Sequence, residues 1–258
     1  MRSTKLTSIT MSILFAITFI TLLAEAKRNQ PEPTKMTKQT GLPTPAALNT
    51  TTTSVTDSSA AEIKYVITSN PSEEKFENVT ILKSRTLIAG ETSTELKSVN
   101  YGLRKKAIFG LVPVRVYTAQ LFAAHPEKLV KTEDGFLASL KDAGPVQMRL
   151  TFLRDLPGQK IADSFKEGLE ANKISTRSMS TELNNVMTEV AGIKKFNKED
   201  SFSITAVWKN NQASLLLEDS IQIKTFSGSS DLAENILSIW FGKTADSKLN
   251  DLKKELIK

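Results

Sequence analysis

Leu103-Arg104-Lys105-Lys106-Ala107-Ile108-Phe109-Gly110-Leu111-Val112-Pro113-Val114-Arg115-Val116-Tyr117-Thr118-Ala119-Gln120-Leu121-Phe122 is the stretch on which the reading of this chain turns. Runs 103–109 and 114–122 are rich in β-branched and aromatic residues, and Gly110 and Pro113 separate them, so together they read as a β-hairpin. Upstream, 63–67, 79–82 and 87–90 read as strands. Downstream, 127–140 is helical in composition. Run 146–153 is a strand bounded by Gly144-Pro145 and by Asp155-Leu156-Pro157-Gly158.

The C-terminal half continues the alternation. Ile161, Phe165 and Leu169 fall on one stripe of a helix, and Leu183, Val186, Met187 and Val190 share a face of a second helix over 180–190. Runs 201–208, 213–217 and 220–226 read as three consecutive antiparallel strands, with turns at Asn210-Asn211 and Glu218-Asp219. Ser229-Ser230-Asp231 caps a helix over 232–241 that stops at Gly242, a C′ glycine signal, and a last helix spans 247–256. Strands, helix, strand, helices, strands, helices is an α+β order: a large, mostly antiparallel sheet with helices gathered on one face.

The chain before residue 61 has a different texture. Arg2 and Lys5 precede the short apolar run 11–23, and Ala24-Glu25-Ala26 is a small-x-small cleavage site, so 1–26 reads as a secretory signal peptide. The run is short for a membrane span, which needs about 20 apolar residues; retained, it would act as an anchor. Segment 27–60, dense in Thr, Pro and Ser, reads as a disordered linker that cannot bury enough apolar surface to offset ordering entropy. The expected organisation is signal peptide 1–26, linker 27–60 and one domain over 61–258, exported to a periplasm or secreted.

Composition excludes several chemistries. With no cysteine there is no lipobox, disulfide, thiol nucleophile or Cys-based metal site. The single histidine, His125, cannot build a zinc site, and neither a P-loop nor a dinucleotide-binding fingerprint is present. No metal or cofactor is expected. The net charge of +6 is divided evenly between 1–60 and the rest, which argues against the concentrated basic face of a nucleic-acid binder.

Four stretches taken together resemble the chalcone isomerase-like family, particularly its bacterial, non-catalytic members. They are Asn100–Gly110 (Asn-Tyr-Gly-Leu-Arg-Lys-Lys-Ala-Ile-Phe-Gly), 114–122, Met148-Arg149-Leu150-Thr151-Phe152-Leu153-Arg154-Asp155 with the helix after it, and Ile239-Trp240-Phe241-Gly242-Lys243 with the terminal helix. The resemblance implies an open-faced β-sandwich, a large antiparallel sheet covered by a layer of helices. It also implies two chemistries. For flavonoid cyclisation only Arg104 is retained: Tyr117 stands for a threonine, Ile161 and Gly168 for a tyrosine and an asparagine, and Ile239 for a serine or threonine. For fatty-acid binding, Arg104 and Tyr117 match the pair that holds the ligand carboxylate.

A guanidinium can donate two parallel charge-assisted hydrogen bonds to a carboxylate, and a tyrosine hydroxyl can add a third while its ring joins an apolar wall. Phe109, Phe122, Phe152, Ile161, Phe165, Ile239 and Trp240 are pocket candidates, and each is equally readable as plain core. Spacing alone would also allow Arg104 as a surface arginine and Tyr117 as an ordinary strand aromatic. The leading expectation is a non-catalytic domain binding a fatty acid or similar anionic amphiphile, with an apolar void ending at Arg104. The alternatives are an isomerase- or lyase-type enzyme using Arg104 as electrophile and Tyr117 as acid, and a ligand-free structural domain with a filled interior.

Overall fold

The computed structural model describes residues 64–108 and 112–258. The expected signal peptide, the linker, Phe109 and the tip of the central hairpin lie outside the described residues. Eight strands, β1 (Tyr65–Phe76), β2 (Val79–Ala89), β3 (Thr92–Ile108), β4 (Val112–Ala123), β5 (Val146–Phe152), β6 (Ser201–Lys209), β7 (Gln212–Glu218) and β8 (Ile223–Ser229), pair in chain order as one antiparallel sheet. The helices are α1 (Phe136–Ser139), α2 (Gly158–Ala171), α3 (Thr181–Gly192), α4 (Ser230–Phe241) and α5 (Ser247–Leu256). The α+β reading holds.

Strand alternation divides the core between the two faces of the sheet. Tyr117, Ala119 and Leu121 of β4, Met148 and Leu150 of β5 and Ile204 of β6 join the buried faces of the helices in the main cluster. Leu82, Leu87, Leu96, Phe122 and Leu216 form a separate cluster on the opposite face. The sheet curls strongly there. Arg85 of β2 reaches Gln147 of β5 at 2.9 Å, Ser203 of β6 at 3.0 Å and both oxygens of Glu218 of β7 at 2.8 Å.

Local chemistry explains most boundaries. Asn210 and Asn211 both have positive φ, 49° and 62°, the conformation a tight two-residue hairpin turn requires. Pro71 is tolerated in β1 because β1 is an edge strand and shifts register there. The turn before β8 is longer than expected: Asp219 Oδ1 accepts from the backbone of Ile221 and Gln222, and the strand starts only at Ile223.

Two expectations are corrected. Segment 127–140 is not one helix but a 3₁₀ turn (Pro126–Lys128), an irregular stretch and the single turn α1. Leu129 is extended and buried, Thr132 Oγ1 accepts from Gly135, and Ser139 Oγ accepts from Val130, so side chains take the bonds that a helix would need. Gly242 ends α4 as expected, but at φ −85° rather than in the left-handed region. It is small because a Cβ would stand 2.2 Å from Asn172 Oδ1. Asn172, just after α2, bonds Gly168, Ser238 and Lys243 and fastens the ends of α2 and α4 together. No described helix is long and apolar enough to cross a membrane.

The Arg85–Glu218 pair is the strongest tie across the curl, and removing one partner of a buried pair strands the other charge. Glu218→Gln is expected to cost about 3 kcal/mol in urea denaturation, while Glu133→Gln, on an exposed turn, leaves the midpoint unchanged.

Candidate functional site

Arg104 and Tyr117 face each other across the central hairpin as register partners of β3 and β4, and Tyr117 in turn pairs with Phe152 of β5. Both are buried under the helices, with Arg104 only 4% exposed. The Tyr117 hydroxyl accepts from Trp240 Nε1 of α4 at 3.1 Å. The Tyr117 ring stands edge-on to Phe152 at 6.2 Å, and the Trp240 ring edge-on to Phe165 of α2 at 5.2 Å. Arg104, Tyr117, Phe152, Phe165 and Trp240 therefore form one assembly joining three strands to two helices.

Arg104 is neither at the surface nor free. Its guanidinium grips Asp246 with two bonds, Nη1 to Oδ1 at 2.8 Å and Nη2 to Oδ2 at 2.5 Å, and Nη1 also bonds the Lys105 carbonyl at 2.6 Å. Asp246 is the N-cap of α5 and accepts from the Leu249 amide with the same Oδ1. Sequence reasoning placed the start of that helix correctly yet passed over Asp246. An aspartate immediately before a predicted helix is itself an N-cap signal, and it marks a carboxylate whose position the fold will fix.

The electrostatics agree with the geometry. Burial works to lower the Arg104 pKa, but the bonds and charge of Asp246 outweigh it and hold the group above its ordinary value. Burial works to raise Asp246, but Arg104 and the α5 amides hold it below the usual carboxylate range. Burial pushes the Tyr117 phenol up, against the opposing pull of Arg104 and Trp240, so Tyr117 is neutral at physiological pH.

Other predicted positions are core. Ile239 is buried against Gly168: a Cβ at 168 would lie 2.8 Å from Ile239 Cγ2. The glycine and the isoleucine that stand where the resemblance puts an asparagine and a serine or threonine are thus complementary halves of one α2–α4 contact. Ile161 is buried on the same face of α2 as Phe165. Phe122 is fully buried on the other face of the sheet, so it does not join the assembly. Its position explains this: it is five residues past Tyr117 on one strand, and an odd separation points to opposite faces. Two concavities among the described residues, one beside Phe76, Tyr101 and Lys248 and one beside Tyr65, Glu189 and Ile221, include neither Arg104 nor Tyr117.

The ion pair gives a pH signature. Because its folded-state pKa is depressed, Asp246 contributes stability that is complete above the unfolded value of about 3.9 and is lost as pH falls through the lower folded value. The stability difference between wild type and Asp246→Asn is expected to be constant above about pH 5 and to shrink below pH 4, as read from melting temperatures across the acid range.

No curated protein matches the chain by sequence. The crystal structure of a fatty-acid binding protein of Arabidopsis thaliana aligns with a TM-score of 0.49 at 17% sequence identity, over 73% of this chain and 96% of that one. A family model described as chalcone isomerase-like matches residues 73–257, from the end of β1 through α5. The chain belongs to the chalcone isomerase-like family.

Proposed function

We propose that this domain is a non-catalytic member of its family that binds an anionic amphiphile, a fatty acid or a molecule like it, with Arg104 and Tyr117 receiving the carboxylate. The observation that carries the reading is the occupant of Arg104: a carboxylate already sits there in a two-pronged bond. The side chains behind that carboxylate matter as much. Leu249, Leu252 and Leu256 of α5 are buried, and Leu252 lies against Gly102 of β3. Asp246 and this leucine row together imitate a headgroup with an apolar tail. A fatty acid would replace them, its carboxylate displacing Asp246 from Arg104 while its chain takes the place of the leucines. The hydrocarbon side chains Ile161 and Ile239, at positions where polar groups would serve cyclisation, support a role without catalysis.

The closely filled interior favours a second reading, a structural domain in which Arg104–Asp246 is a permanent ion pair. The two readings part on one experiment. Palmitate is expected to raise the melting temperature of wild type, to bind Asp246→Ala about tenfold more tightly because the competing carboxylate is gone, and to lose its effect in Arg104→Ala. If neither wild type nor Asp246→Ala responds to palmitate or carries lipid in native mass spectrometry, the binding reading is wrong and the structural one stands.

We infer as well that the domain is exported, periplasmic or secreted, on the order of Arg2 and Lys5, the apolar run 11–23 and Ala24-Glu25-Ala26. Edman sequencing of the mature protein is expected to begin at Lys27; a chain that retains residues 1–26 would be held at the membrane instead.

A further inference from the structure

Three arginines are built into this fold, and two of them grip carboxylates. Arg85 holds Glu218 and Arg104 holds Asp246, each through two bonds. Arg149 differs. It lies on β5, opposite Gln120 of β4 and Ser203 of β6, on the sheet face that turns away from the helices. Its Nη1 donates to Thr151 Oγ1 at 2.9 Å and its Nη2 to Ser201 Oγ at 2.6 Å. These two hydroxyls are its only side-chain partners among the described residues. The acid whose field reaches it, Glu218, is already engaged by Arg85.

A partly buried guanidinium without a carboxylate is costly, and Arg149 registers the cost. Burial, together with the charge of Arg85, pulls its pKa down to about 10. Counting donors identifies what would relieve it. A guanidinium carries five N–H donors and no acceptor, so three remain beyond the two hydroxyl bonds. Nε has no side-chain partner, and no buried polar side-chain atom among the described residues is left without one, so Nε is not fully enclosed. Thr151 Oγ1 and Ser201 Oγ lie 3.2 Å apart, and one hydroxyl proton serves that contact, which leaves the other free to donate outward. The unused protons of Arg149 and of one hydroxyl are donors, and the nearby charge is two guanidiniums against one carboxylate.

We propose that Arg149, Thr151 and Ser201 form an anion site on the sheet face opposite the helices, taking an oxyanion of phosphate type, either the free ion or the head of a phosphate ester. Phosphate has enough acceptor oxygens to use the guanidinium fork and the hydroxyl together. The site is independent of Arg104 and lies across the sheet from it.

Isothermal titration calorimetry at constant ionic strength tests this, with inorganic phosphate in one arm and glycerol 3-phosphate in the other. Saturable binding is expected for wild type and for Lys160→Ala, an exposed-lysine control. Arg149→Gln is expected to weaken it about tenfold or more, and Ser201→Ala by a smaller factor. Binding in both arms assigns the phosphate-ester head, and binding of inorganic phosphate alone assigns the free ion. If Arg149→Gln does not fold, Arg149→Lys, which keeps the charge but loses the fork, is expected to weaken binding in the same direction. The absence of saturable heat in both arms, or an affinity unchanged by either Arg149 substitution, overturns the proposal.

Discussion

The reach of Arg85 across the inner face of the sheet is the constraint on which the rest of this structure depends. A flat eight-stranded sheet paired in chain order would keep β2 far from β7. Here one guanidinium touches β5, β6 and β7 at once, which is possible only if the sheet curls. Curling gives the two faces different characters. The outer face takes the helices and the main apolar cluster, while the inner face closes on itself around Leu82, Leu96, Phe122 and a polar group of Gln147, Ser203, Thr205 and Glu218. A fully bonded polar interior of this kind rigidifies a fold, because each member is expensive to leave unpaired.

On the helix side, α2 and α4 meet through complementary residues. Ile239 fills the space that a side chain at Gly168 would occupy, so the two positions form one packing unit. Asn172 then fastens the helix ends just beyond that contact, and Gly242 is as small as the fastening requires. What remains polar is the Arg104–Tyr117–Trp240 line, with Asp246 as its counter-charge. The same residue thus caps α5 and neutralises the buried arginine, so the seating of the last helix and the pairing of Arg104 are a single event.

Much of the sheet was legible in the sequence because its strands carry their own signals, β-branched alternation and paired asparagines at a turn, but 68–76 and 92–102, which extend β1 and β3, were not read as strand. Helices α2 to α5 were legible from apolar spacing and caps. Segment 127–140 was not, because composition without periodicity says nothing about which backbone groups side chains will claim. The hairpin that sets Arg104 opposite Tyr117 was legible, and the pairing of Arg104 with Asp246 was not. The pairing of residues 142 positions apart is a product of how α5 docks on β3, and no local pattern encodes docking. The inner-face network was missed for a related reason. Gln147, Arg149 and Thr151 alternate with apolar neighbours as any half-exposed strand does, and only the curl turns their face inward.

A sheet whose spatial order equals its chain order also has a kinetic meaning. Each new strand finds its partner in the strand just completed, directly or across the helical excursions between β4 and β5 and between β5 and β6, so pairing can proceed from one end to the other with modest loop closure at each step. The ties of residue 85 to 218 and of 104 to 246 are exceptions, with loops that exceed all the strand pairings. Local contacts form quickly and distant ones slowly. The domain is therefore expected to assemble as an open ribbon whose final, slow step is rolling up, with the inner polar group locked only at the end.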